Sequence, residues 1–186
     1  MFACANPAID PGIRARRSVD GEYVPFAEQD PALWNAHMIS IAEALLQRAS
    51  ALGALGRYQL EAAVQSAHVH RRRTGHANRA AIVGLYDALS LITGSPVIAI
   101  NRALAVAELL GPAAGLGVLQ EVASDPRLAD YQPYWAARAD LLARTGAAAE
   151  ARDAYEIAIG LERDPAVRRF LQDRLVQIER ARASVE

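Results

Sequence analysis

The chain has 186 residues, of which 52% are hydrophobic and 22% charged, with a formal net charge of -1. That length gives one domain with a true core, or two small ones, and the composition excludes intrinsic disorder. A near-neutral chain carries no overall electrostatic footprint for nucleic acid. Cys4 stands alone, so no internal disulfide forms, and one thiol with four scattered histidines makes no zinc site.

Residues 1–29 read as an irregular N-terminal arm, punctuated by Pro7, Pro11, Gly12, Gly21 and Pro25 and carrying the basic run Arg14, Arg16 and Arg17. Helical signals follow almost without a break. Asp30-Pro31 offers a cap followed by proline at the first helical position, where its missing N–H costs nothing. Leu33, Trp34, Met38, Ile41, Leu45 and Leu46 come next at helical spacing, and Gly53 is the stop. A second helix from about Arg57 carries Tyr58, Leu60, Ala63 and Val64 and fades in the polar stretch 68–76. Asn78 caps a third, with Ile82, Leu85, Tyr86 and Leu89 on one face and Gly94 beyond its end. Ser95-Pro96 restarts the pattern with Val97, Ile100, Leu104 and Ala107, closed by Gly111. Pro112 opens a shorter helix holding Leu116, Leu119 and Val122.

Asp125-Pro126 repeats the cap-plus-proline signal. A helix from near Pro133 to Arg144 carries Trp135, Leu141 and Leu142, and another over 147–162 carries Ala151, Tyr155, Ala158 and Leu161. Asp164-Pro165 caps the last, with Val167, Phe170, Leu171, Leu175 and Ile178. About eight helices joined by short turns result, and no window favours a strand.

Around Gly146, residues Trp135, Leu142, Ala151, Tyr155 and Ala158 supply large, large, small, aromatic and small groups where two paired helices need them. The pattern is that of a tetratricopeptide (TPR) unit. The same turn recurs 35 residues upstream at Gly111, with Ile100 and Ala107 in matching slots; Leu116 weakens the match on the second helix. The expected fold is all-α: a TPR-like right-handed solenoid or bundle of stacked antiparallel hairpins over residues 30–183.

The chemistry of catalysis is thin. No phosphate-binding glycine loop follows a strand, and no carboxylates pair by spacing. His68 and His70 diverge on a helix and, with Arg71–Arg73, read as a solvated basic helix end; His76 completes a metal site only if the chain folds back. Cys4 has no base beside it. Asn101, Arg102 and Arg138 are the candidate partner-binding residues, because polar groups interrupt apolar first helices that would line a concave face. Structural ties through hydrogen bonds are the alternative for them. No catalytic residue, metal or cofactor is expected, and a cytoplasmic location is, since no apolar run or leader pattern is present.

The segments VDGEYVPFAEQDPALWN, GRYQLEAAVQSAH, AAIVGLYDALSLITGSPVIAINRALAVAELLGPAAGL and DPRLADYQPYWAARADLLARTGAAAEARDAYEIAI together resemble the C-terminal extension of a subgroup of extracytoplasmic-function RNA polymerase sigma factors. The opening FACANPAIDPGIRA resembles the start of their region 4. The resemblance covers residues 18–180. It implies a TPR-like domain that modulates transcription initiation through contacts with core RNA polymerase or the sigma core regions. The helix-turn-helix that would follow residue 15, and region 2, have no counterpart here, and Arg79 stands where a tryptophan is usual. Direct DNA binding and membrane insertion are therefore not expected, whereas a homodimer is possible. A stand-alone adaptor or small-ligand sensor is the alternative reading.

Overall fold

A computed structural model describes residues 13–76 and 78–183. Cys4 and most of the stretch resembling sigma region 4 lie outside the described residues. Among the described residues eight α-helices, packed in adjacent pairs, make up the fold: α1 (Ala36–Ala51), α2 (Arg57–Thr74), α3 (Arg79–Thr93), α4 (Pro96–Leu110), α5 (Pro112–Glu121), α6 (Gln132–Arg144), α7 (Ala148–Leu161) and α8 (Pro165–Ala183). Among the described residues there is no strand, only an isolated antiparallel bridge between Arg17 and Tyr23. The chain divides after Gly94 into two compact units.

In the second unit, α4 packs on α5 and on α6, α6 on α7, and α7 on α8. Ile100, Ala103 and Ala107 of α4 meet Leu119 of α5, Leu128, and Tyr134, Ala137 and Leu141 of α6 in one buried cluster. Each fully buried leucine there removes enough apolar surface from water to contribute about 1.5–3 kcal/mol. The α6–α7 pair is close because its contacts are small: Ala136 and Ala139 on one helix, Ala151, Ala154 and Ala158 on the other, all buried. Between them Gly146 adopts φ +83°, a left-handed turn that only glycine takes without strain.

The repeat differs in detail from the sequence expectation. Tyr134 and Leu141 fill the core in place of their neighbours Trp135 and Leu142, which are half-buried. Trp135 keeps its indole N–H at the edge, donating to Ala129 O at 2.8 Å. In α5 the small residue facing the first helix is Gly115: a Cβ there would lie 2.6 Å from Ala107 Cβ and 2.7 Å from Ala103 O. Gly115 and Leu119 thus take the roles of Ala151 and Tyr155, one residue nearer the turn, so Leu116 never needed to be small.

In the first unit, α1 packs on α2 and α2 on α3. Asp30-Pro31 opens only a 3-10 turn, Pro31–Leu33, and Asn35 then caps α1 by accepting from Met38 N at 3.0 Å. Asp125-Pro126 likewise opens the 3-10 turn Pro126–Leu128, whereas Asp164 caps α8 by accepting from Ala166 N. Helix α2 continues through the polar stretch as far as Thr74, where its last-turn arginines complement the helix dipole. Part of the segment read as an irregular arm is buried. Ala15, Trp34 and Ile39 form a small cluster with Phe26 and Val69, and Gln29 is buried beside it.

Candidate interaction surface

Helix α1 carries apolar residues on more than one side, and the fold uses only one of them. Ile39 is buried, while Ile41, Leu45 and Leu52 are 48%, 55% and 81% exposed. These three, with Arg48, recur at i, i+4, i+7 and i+11 and so share one stripe along the helix. Leu55 and Tyr58 extend the exposed apolar surface across the α1–α2 turn. Arg57 lies over the Tyr58 ring at 5.8 Å and holds Glu61 at 2.8 Å, so the charges at the rim neutralise each other. Sequence reasoning grouped Leu33, Ile41 and Leu45 with Trp34 and Met38 by helical spacing, which identifies an apolar pattern without saying which of two stripes meets the neighbour. Contiguous exposed apolar residues of this kind mark association surfaces.

The sequence-predicted residues fall elsewhere, on the second unit. Asn101 and Arg102 are half-buried on α4, and Arg138 is half-buried on α6. Asn101 and Arg102 are consecutive, so their side chains leave the helix about 100° apart and do not share a face. The Asn101 amide donates to Val97 O at 3.1 Å, a tie within its own helix. Helices α4 and α6 pack together, but no hydrogen bond joins Asn101 to Arg138.

The histidine–arginine stretch of α2 splits in two. His70 and Arg73 are exposed, but His68 sits under Phe26, with ring centroids 6.1 Å apart, and faces Tyr86 at 6.5 Å. Burial, and secondarily the Arg71 charge, push the His68 imidazole down to about 4. Burial alone pushes the Tyr86 hydroxyl up to about 12, and burial chiefly does the same to Tyr155. Among the described residues, no group of three His, Cys, Asp or Glu side chains is placed to hold a metal ion. No helix of the described residues is long and apolar enough to cross a membrane.

A shallow open depression lies where α5 runs into the Pro126–Leu128 turn, lined by Glu121, Ser124, Asp125 and Arg127. Two of its charged residues, Asp125 and Arg127, pair with each other. Arg127 Nη2 donates to Asp125 Oδ2 at 2.7 Å, and the Arg127 side chain and backbone hydrogen bonds hold the Asp125 carboxyl below the usual carboxylate range. A third charged group, Arg144, bridges Glu108 of α4 at 3.6 Å and Asp140 of α6 at 3.5 Å.

The chain is 36% identical over 148 residues to an uncharacterized protein of Rhizobium meliloti (strain 1021), a match spanning 80% of this chain and 34% of that protein. The chain therefore spans about a third of the length of the curated relative it matches. No family model matches the chain, and no solved structure matches it.

Proposed function

We propose that the chain is a regulatory protein-interaction domain that modulates transcription initiation by contacting core RNA polymerase or the core regions of an extracytoplasmic-function sigma factor. The observation that carries the protein-binding reading is the apolar stripe of Ile41, Leu45 and Leu52, left in solvent by a helix that is otherwise anchored. Burying such a stripe against a partner recovers the hydrophobic free energy that folding of this chain leaves unused. Two further facts support the transcriptional form of the reading. The resemblance to the sigma-factor extension runs through residues 18–180, and the Rhizobium meliloti relative devotes only 34% of its length to the matched stretch, so such a helical array occurs as part of a larger protein.

The test is co-purification of the full chain with core RNA polymerase, and separately with sigma core regions supplied as a second polypeptide. Retention of either, lost in the Ile41→Lys, Leu45→Lys double variant, is the expected result. Retention of neither refutes the transcriptional reading. Light scattering that finds a dimer dissociated by the same double variant assigns the stripe to a second copy of this chain instead.

A further inference from the structure

Buried side-chain nitrogens without a protein hydrogen bond gather along one seam of the first unit. Trp34 Nε1, both ring nitrogens of His68, and Arg72 Nε make none. His68 and Arg72 are one turn apart on α2 and face residues 13–34. Phe26 stacks on Trp34 at 5.5 Å and meets His68 edge-on at 6.1 Å. A polar group withdrawn from water with no partner in its place carries its full desolvation cost for as long as the contact stays closed.

Against that cost stand a few specific ties. Arg72 Nη2 donates to Gln29 O at 2.6 Å, and Gln29 Nε2 donates to Val24 O at 3.3 Å. Val24 N donates to Arg16 O at 2.9 Å, so residues 16–29 are internally braced. Ala15 and Trp34 are buried with Ile39. The segment is thus a preformed strap lying over a seam that water would solvate better than the protein does.

We propose that residues 13–34 form a strap that swings off α2 while the helices stay folded, exposing Trp34, His68 and Arg72 to water. The low-stability end of a structure is where such movable elements are found.

The seam also gives the strap a pH response. Among the described residues, the groups facing His68 are Phe26 from the strap and Tyr86 from α3, with the Arg71 charge beside it and Arg72 one turn along its own helix. None of them is an anion near neutral pH, because the Tyr86 hydroxyl is pushed up to about 12. Protonated His68 would therefore add a third positive charge under the strap. With the strap closed the imidazole titrates at about 4; with it open, burial is relieved and the imidazole returns toward the ordinary value of 6.5, with Arg71 still beside it. The open state accordingly binds the proton first. Closure is unaffected by pH above 6.5 and weakens as pH falls from there toward 4. The opening equilibrium rises by up to about tenfold per pH unit, and by at most about 300-fold in all.

The experiment uses the full chain carrying Trp135→Phe, which leaves Trp34 as the only tryptophan of the two present. Acrylamide quenching of Trp34 and far-ultraviolet circular dichroism are followed together from pH 7.5 to 4. The expected result is quenching that increases below pH 6.5 at constant helicity, with the increase abolished by His68→Gln. Because a variant can lose its fold, hydrogen exchange of the unsubstituted chain at pH 7 supplies an independent readout. Amides of residues 23–34 are expected to exchange at least a hundredfold faster than those of α4 and α6. Three results each overturn the proposal: loss of helicity with the same midpoint as the quenching, an undiminished rise in His68→Gln, or strap amides as protected as those of α4.

Discussion

Gly115→Ala tests the close approach of α5 to α4. A Cβ on Gly115 would meet Ala107 Cβ at 2.6 Å and the Ala103 carbonyl oxygen at 2.7 Å. Carbon atoms in good contact sit about 3.5–4.0 Å apart, so α5 must retreat from α4 by roughly 1 Å. Neither neighbour can swing aside, since one is backbone and the other a methyl fixed to it. Overpacking of this kind costs about 1–3 kcal/mol. Alanine is also the better helix former, worth up to about 1 kcal/mol over glycine in a helix interior, and this gain offsets part of the loss. Gly117 separates the two effects. It lies two residues along the same helix, is exposed, and a Cβ there meets nothing within 4 Å. Gly117→Ala is therefore expected to stabilise the chain by about 0.5–1 kcal/mol, and Gly115→Ala to destabilise it by about 1–2 kcal/mol. For a chain of 186 residues each kcal/mol moves the midpoint by about 2–4 °C. Thermal unfolding by calorimetry should place the two variants roughly 4–10 °C apart, on opposite sides of the parent. Equal midpoints would refute the close α4–α5 contact and, with it, the equivalence of Gly115 and Ala151.

Asn35→Ala removes the side chain that accepts from Met38 N at the start of α1, and urea unfolding is expected to show a loss of about 1 kcal/mol. Ile41→Lys with Leu45→Lys changes residues that are already in solvent, so the stability of the isolated chain should move by no more than about 0.5 kcal/mol per site; a larger loss in urea unfolding would show that the stripe is buried. Arg127→Gln should return the Asp125 carboxyl upward toward its ordinary value, read by carbon NMR titration. Since Asp125 is depressed in the folded chain, what its pairing contributes is present above the unfolded carboxylate value and is lost as pH falls through the folded one.

How far the sequence announced this structure depends on the residue type. Caps and stops are local, and they were readable: Asn78 accepts from Ala81 N ahead of α3, and Gly94 ends that helix with φ +53°. The small–aromatic–small pattern of Ala151, Tyr155 and Ala158 was equally readable, because close helix approach restricts side-chain size whatever the rest of the chain does. The choice of buried face was not. Both Ile39 and Ile41 fit a helical stripe, and only the position of α2 decides that Ile39 goes inside. The short step from Gly111 to Gly115 weakened the match on the second helix of the Gly111 repeat, since α5 begins one residue earlier relative to its turn than α7 does. His68 was misread because polar neighbours make a stretch look solvated; its burial comes from Phe26, 42 residues earlier in the chain.

The two units differ in how completely local and long-range preferences agree. In the second unit the aligned repeats put alanines and glycine at the crossings and leucines in the gaps, and the orphaned buried nitrogen there is Gln132 Nε2. In the first unit an apolar stripe stays in water, and four polar atoms stay out of it along the strap. A chain shaped for stability alone would exchange those placements, turning Ile41 and Leu45 polar and His68 and Arg72 apolar. Departures from local consistency tend to fall at sites that bind or move. Here both kinds occur together in the first unit, on α1 and on the strap that leads into it. A partner that covers the α1 stripe would therefore act beside the strap, and strap opening measured with and without that partner would show whether the two are coupled.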